Sequence, residues 1–175
     1  MSESVDRPMS VPRTLIAGFG NVLRGDDGFG VEVVRRLECR GHRADVELID
    51  VGTGGIHLAH QLLSRYDRLI VVDAMTRGGP PGSLYVLAVE RVAAATELDM
   101  HVVVPARALS LARALGVLPA TVYMVGCEPV QVDELTTALS PVVDAAADAA
   151  VLRIEELLGV AGESMESAAH EHGVS

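Results

Sequence analysis

The chain has 175 residues, of which 49% are apolar, and this length favours one domain with a sizeable core. Acidic residues outnumber basic ones by 24 to 14 and no basic cluster is present, so a nucleic-acid partner is not expected. The two cysteines, Cys39 and Cys127, form no CxxC pattern, which is typical of a reduced cytoplasmic protein.

No stretch of the sequence predicts a membrane segment or a secretion signal. The first apolar run is interrupted by Gly18 and Gly20, and no charge-free apolar run reaches the roughly 18 residues of a spanning helix. We therefore expect a cytoplasmic location and no membrane partner. The sequence predicts a disordered leader at 1–12, a single α/β domain at 13–159 and a flexible tail at 160–175.

Short apolar runs and glycine-rich turns alternate through the first half of the chain. This pattern predicts strands near 13–18, 45–50 and 68–73, with a helix near 28–40 and a second helix opening after the turn at 51–55. The third strand, RLIVVD, is continuously apolar until its final acid. Such a run is typical of a strand buried on both faces of a parallel sheet.

The second half of the chain continues the alternation. A short Gly/Pro turn at 77–82 precedes a strand at 83–89, and so short a link predicts an antiparallel strand at the edge of the sheet. An irregular segment at 90–100 then leads to a helix near 105–115, a strand at 120–125 and a helix at 140–158. The order predicts a three-layer αβα sandwich with a mostly parallel sheet of about five strands.

The loop after the first predicted strand, GFGNVLRGDDGFG at 18–30, has an unusual composition. Five of its thirteen residues are glycine, which indicates positive φ angles or a very close approach of the backbone to another group. Asp26 and Asp27 stand side by side just before the helix. One aspartate is explained by N-capping of that helix, so the second suggests that one of the two faces a ligand.

Polar residues also follow the other predicted strands. In parallel sheets ligands bind beyond the carboxyl ends of the strands, where the connecting loops meet. The residues at these ends are Asp26 and Asp27, Asp50, Asp73, Glu128 and, before the third helix, His101.

A dinucleotide site is the first alternative for the glycine-rich loop. The G-x-G-x-x-G fingerprint fails at its third glycine, because Leu23 stands at that position. Two carboxylates would also repel a pyrophosphate. The nucleotide interpretation is therefore weak.

A metal site is the second alternative. Asp27, Asp73 and His101 come from three separate loops that the fold could bring together, and two carboxylates with one imidazole suit Ni, Zn, Mn or Fe. The competing explanation is purely structural, with strand-end acids that cap the following turns. Residue types alone do not decide between the metals.

Six segments, in this order, resemble the hydrogenase maturation endopeptidases, which process the large subunit of [NiFe] hydrogenases. The resemblance covers most of the chain between 14 and 158. The segments are GFGNVLRGDDGFG at 18–30, DVGTGG at 50–55, LIVVDA at 69–74, HVVVPARALSLARALG at 101–116, GCEP at 126–129 and LSPVV at 139–143.

The resemblance implies an αβα sandwich and a nickel site at Asp27, Asp73 and His101. It implies that the enzyme removes a C-terminal extension from the large-subunit precursor once nickel is in place. The nickel is then supplied by the substrate, so we expect the free protein to bind it weakly or not at all. The loop of Gly52, Thr53, Gly54 and Gly55 borders the same substrate cleft.

The chemical role of the metal stays open at this point. Nickel could polarise the scissile carbonyl or activate water beside Asp27, or it could only position the bond while an unbound carboxylate such as Asp26 acts as the base. A non-catalytic checkpoint or chaperone that senses nickel loading of the same precursor is the alternative function.

Overall fold

The computed structural model describes residues 11–41, 43–89 and 103–170. The strands are β1 (Thr14–Phe19), β2 (Val46–Gly52), β3 (Arg68–Ala74), β4 (Leu84–Ala88) and β5 (Thr121–Cys127). The α-helices are α1 (Phe29–Arg40), α2 (Gly55–Gln61), α3 (Val103–Ala114) and α4 (Pro141–His170). Short 3-10 turns at Gly25–Gly28 and Leu62–Ser64 precede α1 and follow α2.

The five strands form one sheet in the order β2-β1-β3-β5-β4. Strands β2, β1, β3 and β5 are parallel to their neighbours, and β4 pairs antiparallel with β5 at the edge. Every residue of the central strand β3 is buried. The sheet therefore brings the carboxyl ends of β1, β2, β3 and β5 to one edge.

The helices cover both faces of this sheet and create two cores. One core lies between the sheet and the pair α1 and α4, and it includes Ile16, Phe29, Ile70 and Ile154. The other lies beneath α2 and α3 and is built around residues such as Leu58. Alternate residues of β1 and β3 enter opposite cores, which explains the unbroken apolar runs of these strands.

The predicted αβα sandwich, the mostly parallel sheet and the antiparallel edge strand are confirmed. The last helix is longer than predicted, since it continues past 158 to His170. No proline interrupts the sequence after 158, and isolated glycines cost a helix only about 1 kcal/mol each. Residues 1–10 of the predicted leader, the whole irregular segment at 90–100 and the last five residues lie outside the described residues.

No helix within the described ranges is long and apolar enough to cross a membrane.

Helix α1 lies in direct backbone contact with the sheet. A Cβ atom at Gly30 would come within 2.1 Å of the Val72 carbonyl oxygen and 2.4 Å of the Phe19 carbonyl oxygen. A Cβ atom at Gly18 would come within 2.4 Å of the Gly30 carbonyl oxygen. Only glycines at both positions permit this approach, because both sides of each contact are backbone.

We expect Gly30→Ala to destabilise the protein by at least about 2 kcal/mol, because the added methyl group overpacks a contact that cannot yield. The melting temperature would fall by roughly 4–8 °C. Gly159→Ala is the matched control, since Gly159 also lies in a helix but an added Cβ meets nothing within 4 Å. The control should be neutral or more stable by up to about 1 kcal/mol. Equal melting temperatures for the two variants would contradict the backbone contact.

Candidate active site

A small cavity at the carboxyl edge of the sheet contains two of the predicted site residues, Asp27 and Asp73. Its volume is about 60 Å³. The cavity is lined by Phe19, Gly20, Asp27, Gly52, Thr53, Asp73 and Val104. The structure thus brings together acids that are 46 residues apart in sequence, together with half of the predicted cleft loop at Gly52–Gly55.

Asp73 is positioned by the most rigid part of the fold. It is the penultimate residue of β3 and pairs with Gly126 of β5 in the parallel register. Its side chain is only 5% exposed. The buried central strand therefore holds this carboxylate at a fixed depth, at the bottom of the crevice where the connecting loops meet.

Asp27 is positioned by contacts within the glycine-rich loop. Gly20 has a φ of +126°, and a Cβ atom there would lie 1.7 Å from the carbonyl oxygen of Asp27. The backbone N–H of Asn21 donates to Oδ2 of Asp27 over 3.0 Å. The loop thus folds back on itself, and this contact sets the side chain of Asp27 on the cavity side.

The third wall of the cavity comes from the end of β2. The N–H of Gly20 donates to the Gly52 carbonyl over 3.0 Å, and Gly52 itself has a φ of +57°. Thr53 follows on the cavity wall. Gly54 and Gly55 do not line the cavity, because α2 begins at Gly55 and packs there against α3.

Two negative charges share this small volume. Burial raises the pKa of Asp73 well above its ordinary value, and the nearby charge of Asp27 raises it further, while a hydrogen bond from the Ala74 backbone opposes the shift. No basic side chain lines the cavity among the described residues. Such a pair favours either a bound proton or a bound cation.

Asp26 faces away from this cavity although it adjoins Asp27. Its Oδ1 accepts a hydrogen bond from the Ser140 N–H at 2.7 Å, and its Oδ2 accepts from the Val130 N–H and the Ser140 hydroxyl, both at 2.9 Å. The residue is only 2% exposed. It ties the first loop to the start of α4, whereas α1 has no side-chain cap.

The other strand-end acids lie elsewhere. Glu128 accepts hydrogen bonds from the backbone N–H groups of the turn at 77–79 and from the Tyr85 hydroxyl. Burial by itself would raise the pKa of Glu128, but these hydrogen bonds outweigh it and lower the pKa. Glu128 therefore holds the turn before β4, and Asp50 is exposed on the edge strand β2.

His101, the third predicted ligand, lies outside the described residues. Among the described residues, no three His, Cys, Asp or Glu side chains are placed to hold a metal ion. The part of the cavity wall that the structure does describe on this side is Val104, in the first turn of α3. The predicted triad is therefore represented here by its two carboxylates.

Phe19, Gly20 and Val104 line the cavity but were not predicted as site residues. Phe19 reads as an ordinary apolar end of a strand, and Val104 belongs to an apolar run before a helix. For Gly20 a signal was present, because the density of glycines in the loop already indicated positive φ angles. The two apolar residues carry no signal that distinguishes a cavity wall from a core.

Replacing Asp73 by asparagine should stabilise the free protein, and more so at high pH. The folded-state pKa of Asp73 lies above the unfolded value of about 4. The free energy of unfolding therefore falls as the pH rises through the folded-state pKa, because the folded protein disfavours the charged carboxylate. Asp73→Asn removes that loss. We expect a melting temperature at least about 2 °C above wild type at pH 8, and a smaller difference at pH 5.

Thermal unfolding at the two pH values measures this, with Asp148→Asn as a control for an exposed carboxylate on α4. The control should show no pH-dependent gain, because a surface ion pair contributes little to stability. A gain for Asp73→Asn that is the same at pH 5 and pH 8 would contradict the raised pKa of Asp73.

The chain is similar to known proteins over almost all of its length. The hydrogenase maturation protease family model matches residues 31–157. The hydrogenase expression/formation protein HupD of Rhizobium leguminosarum bv. viciae is 34% identical, over 88% of this chain and 79% of HupD.

Solved structures agree with these sequence matches. The hydrogenase maturating endopeptidase HybD from E. coli superimposes with a TM-score of 0.76 at 32% identity, over 86% of this chain and 94% of HybD. The [NiFe] hydrogenase maturation protease HybD from Thermococcus kodakarensis superimposes with a TM-score of 0.71 at 27% identity, over 83% of this chain and 99% of that protein. The sequence and structure matches agree with each other over more than four fifths of the chain. This chain belongs to the hydrogenase maturation protease family.

Proposed function

We propose that this protease removes the C-terminal extension from a nickel-loaded large-subunit precursor of a [NiFe] hydrogenase. The observation that carries this proposal is the pair of carboxylates, Asp27 and Asp73, on one cavity of about 60 Å³. Family membership supports the protease activity, and similarity to the [NiFe] hydrogenase maturation protease of T. kodakarensis supports the class of hydrogenase. Nickel in this proposal arrives with the substrate.

The cavity is suited to a single cation. A volume of about 60 Å³ leaves room for an ion together with a few small ligand groups, because one water molecule needs only about 10–15 Å³ of such space. A divalent cation would also favour the charged form of Asp73, whose pKa is raised by burial and by the charge of Asp27. Carboxylate oxygens with a histidine nitrogen form a donor set that nickel accepts.

His101 is proposed as the third ligand. Val104 lines the cavity, and three residues of extended chain span at most about 11 Å, so His101 is within reach of the cavity by chain length alone. The three protein ligands would leave other coordination positions for groups of the precursor. The enzyme would then recognise nickel that the precursor already holds.

The chemistry proposed for the site divides between the metal and the chain. A bound nickel ion would supply Lewis acidity to the scissile carbonyl or to a water molecule. Asp27 and Asp73 would fix the position of that bond and accept the proton that water loses. Asp26 is poorly suited to be the base, because its carboxylate accepts three hydrogen bonds at 2% exposure.

Incubation with nickel-loaded precursor should shorten the precursor by a C-terminal peptide, detected by intact-mass spectrometry. Asp27→Ala should lower the cleavage rate by at least about 100-fold, because it removes a ligand and a group beside the scissile bond. Asp148→Ala is the matched control, since its carboxylate lies on the exposed surface of α4, and it should cleave at the wild-type rate.

The same assay separates the alternatives. An unchanged precursor mass with a stable complex would indicate a loading checkpoint without catalysis, and full activity of Asp27→Ala would exclude Asp27 from the site. Cleavage of a metal-free precursor at the wild-type rate would contradict recognition through nickel.

The free protein should bind Ni²⁺ weakly and reversibly, because the proposed site has two carboxylates and one imidazole and lacks a thiolate. Isothermal titration calorimetry of the free protein with Ni²⁺ measures this affinity. Asp27→Asn should abolish the residual binding. Sub-nanomolar affinity in the free protein would contradict supply of the metal by the substrate.

A further inference from the structure

Two loops beside the cavity expose apolar side chains that the catalytic site does not explain. We call these four residues the apolar rim; they are Val22, Leu23, Val130 and Leu135. Leu23 is 58% exposed and Leu135 is 89% exposed. Single exposed apolar residues are normal on a protein surface, but a cluster of them marks an interaction surface.

Backbone pairing makes the two loops a single surface. Arg24 and Thr136 form a parallel β-bridge, and the N–H of Gly25 donates to the Thr136 carbonyl over 2.7 Å. Leu23 and Leu135 each directly precede one of the two bridged residues, so both belong to the surface formed around this bridge.

Asp26 fastens the rest of the rim. Its carboxylate accepts hydrogen bonds from the backbone of Val130 and from Ser140 while the residue is 2% exposed. These hydrogen bonds to Asp26 join the loop after β1 to the loop after β5 at a second place, in addition to the bridge between Arg24 and Thr136. The apolar rim is therefore ordered before any partner binds, and binding to it costs little conformational entropy.

The rim is close enough to the cavity to be covered by the same partner. Leu23 is four residues from Asp27, and four residues of chain span at most about 14 Å. An interface of ordinary size covers about 800 Å² on each partner, which corresponds to a disc with a radius of about 16 Å. A protein that places its cleavage site at the cavity through such an interface therefore also covers Leu23.

From these observations we infer that the apolar rim is a docking surface for the folded body of the hydrogenase large-subunit precursor, separate from the cavity that receives the cleaved segment. This inference rests on the proposed function for the identity of the partner. The cavity itself is too small to contact more than a few atoms of the precursor. The rim supplies the apolar contact area that the cavity lacks.

Binding of the precursor to immobilised protein, measured by biolayer interferometry, tests the inference. The double variant Leu23→Ser/Leu135→Ser should bind the precursor at least about tenfold more weakly than wild type, with or without nickel in the precursor. Cleavage of loaded precursor should show a raised KM of similar size and a kcat within about twofold of wild type. Asp27→Ala should give the opposite pattern, with lost cleavage and retained docking.

Leu63→Ser/Leu115→Ser is the matched control, because these leucines are 54% and 55% exposed and lie before β3 and β5, at the opposite edge of the sheet. The control should bind and cleave as wild type does, and all variants should keep the wild-type melting temperature.

Equal precursor affinity for the rim variant and wild type overturns the docking surface, even where wild type cleaves normally. A wild-type protein that binds the precursor through the rim but does not cut it overturns the proposed function and leaves the docking surface standing. A wild-type dimer that the rim substitutions dissociate, seen by analytical ultracentrifugation, overturns the inference in favour of a contact between two copies.

Discussion

The backbone contact between the start of α1 and the sheet is the constraint on which the site depends. Gly18 and Gly30 let the backbone of the helix touch the backbone of β1 and β3. The loop that precedes the helix folds back on itself beside this contact. The contact of Gly20 with Asp27 is part of this folding. The position of Asp27 relative to the end of β3 therefore depends on backbone contacts at glycines.

Two neighbouring aspartates take separate tasks because of what surrounds them. Asp26 is buried with three hydrogen-bond donors, so its charge is satisfied by the protein and holds two loops together. Asp27 has one backbone donor from Asn21 and otherwise faces a cavity that it shares with Asp73. The sequence shows only two equal acids side by side. Which one is satisfied depends on Ser140, more than one hundred residues further along the chain, and no local pattern contains that information.

The features of the fold that depend on apolar periodicity and on the order of the strands were predictable from the sequence. The apolar run of β3, the short turn before β4 and the acids at strand ends were sufficient to predict the sandwich, its edge strand and the meeting of Asp27 with Asp73. Leu23 stands where the dinucleotide fingerprint has its third glycine, which gives close packing of helix on strand; Gly30 provides that packing seven residues later, after a 3-10 turn. The length of α4 and the cavity walls at Phe19 and Val104 depend on packing between distant elements, so they were not predictable from local sequence.

Recognition of a protein substrate by this site requires both the small polar cavity and a larger surface around it. Two acids in about 60 Å³ can distinguish a charged centre from an empty one, since a bound cation offsets their mutual repulsion. They cannot distinguish one protein from another, because so few atoms fit between them. Discrimination among partners therefore requires contacts outside the cavity, on elements whose position is fixed relative to it. The loops carrying Leu23 and Leu135 meet that requirement, because the carboxylate that fastens them belongs to the residue next to Asp27.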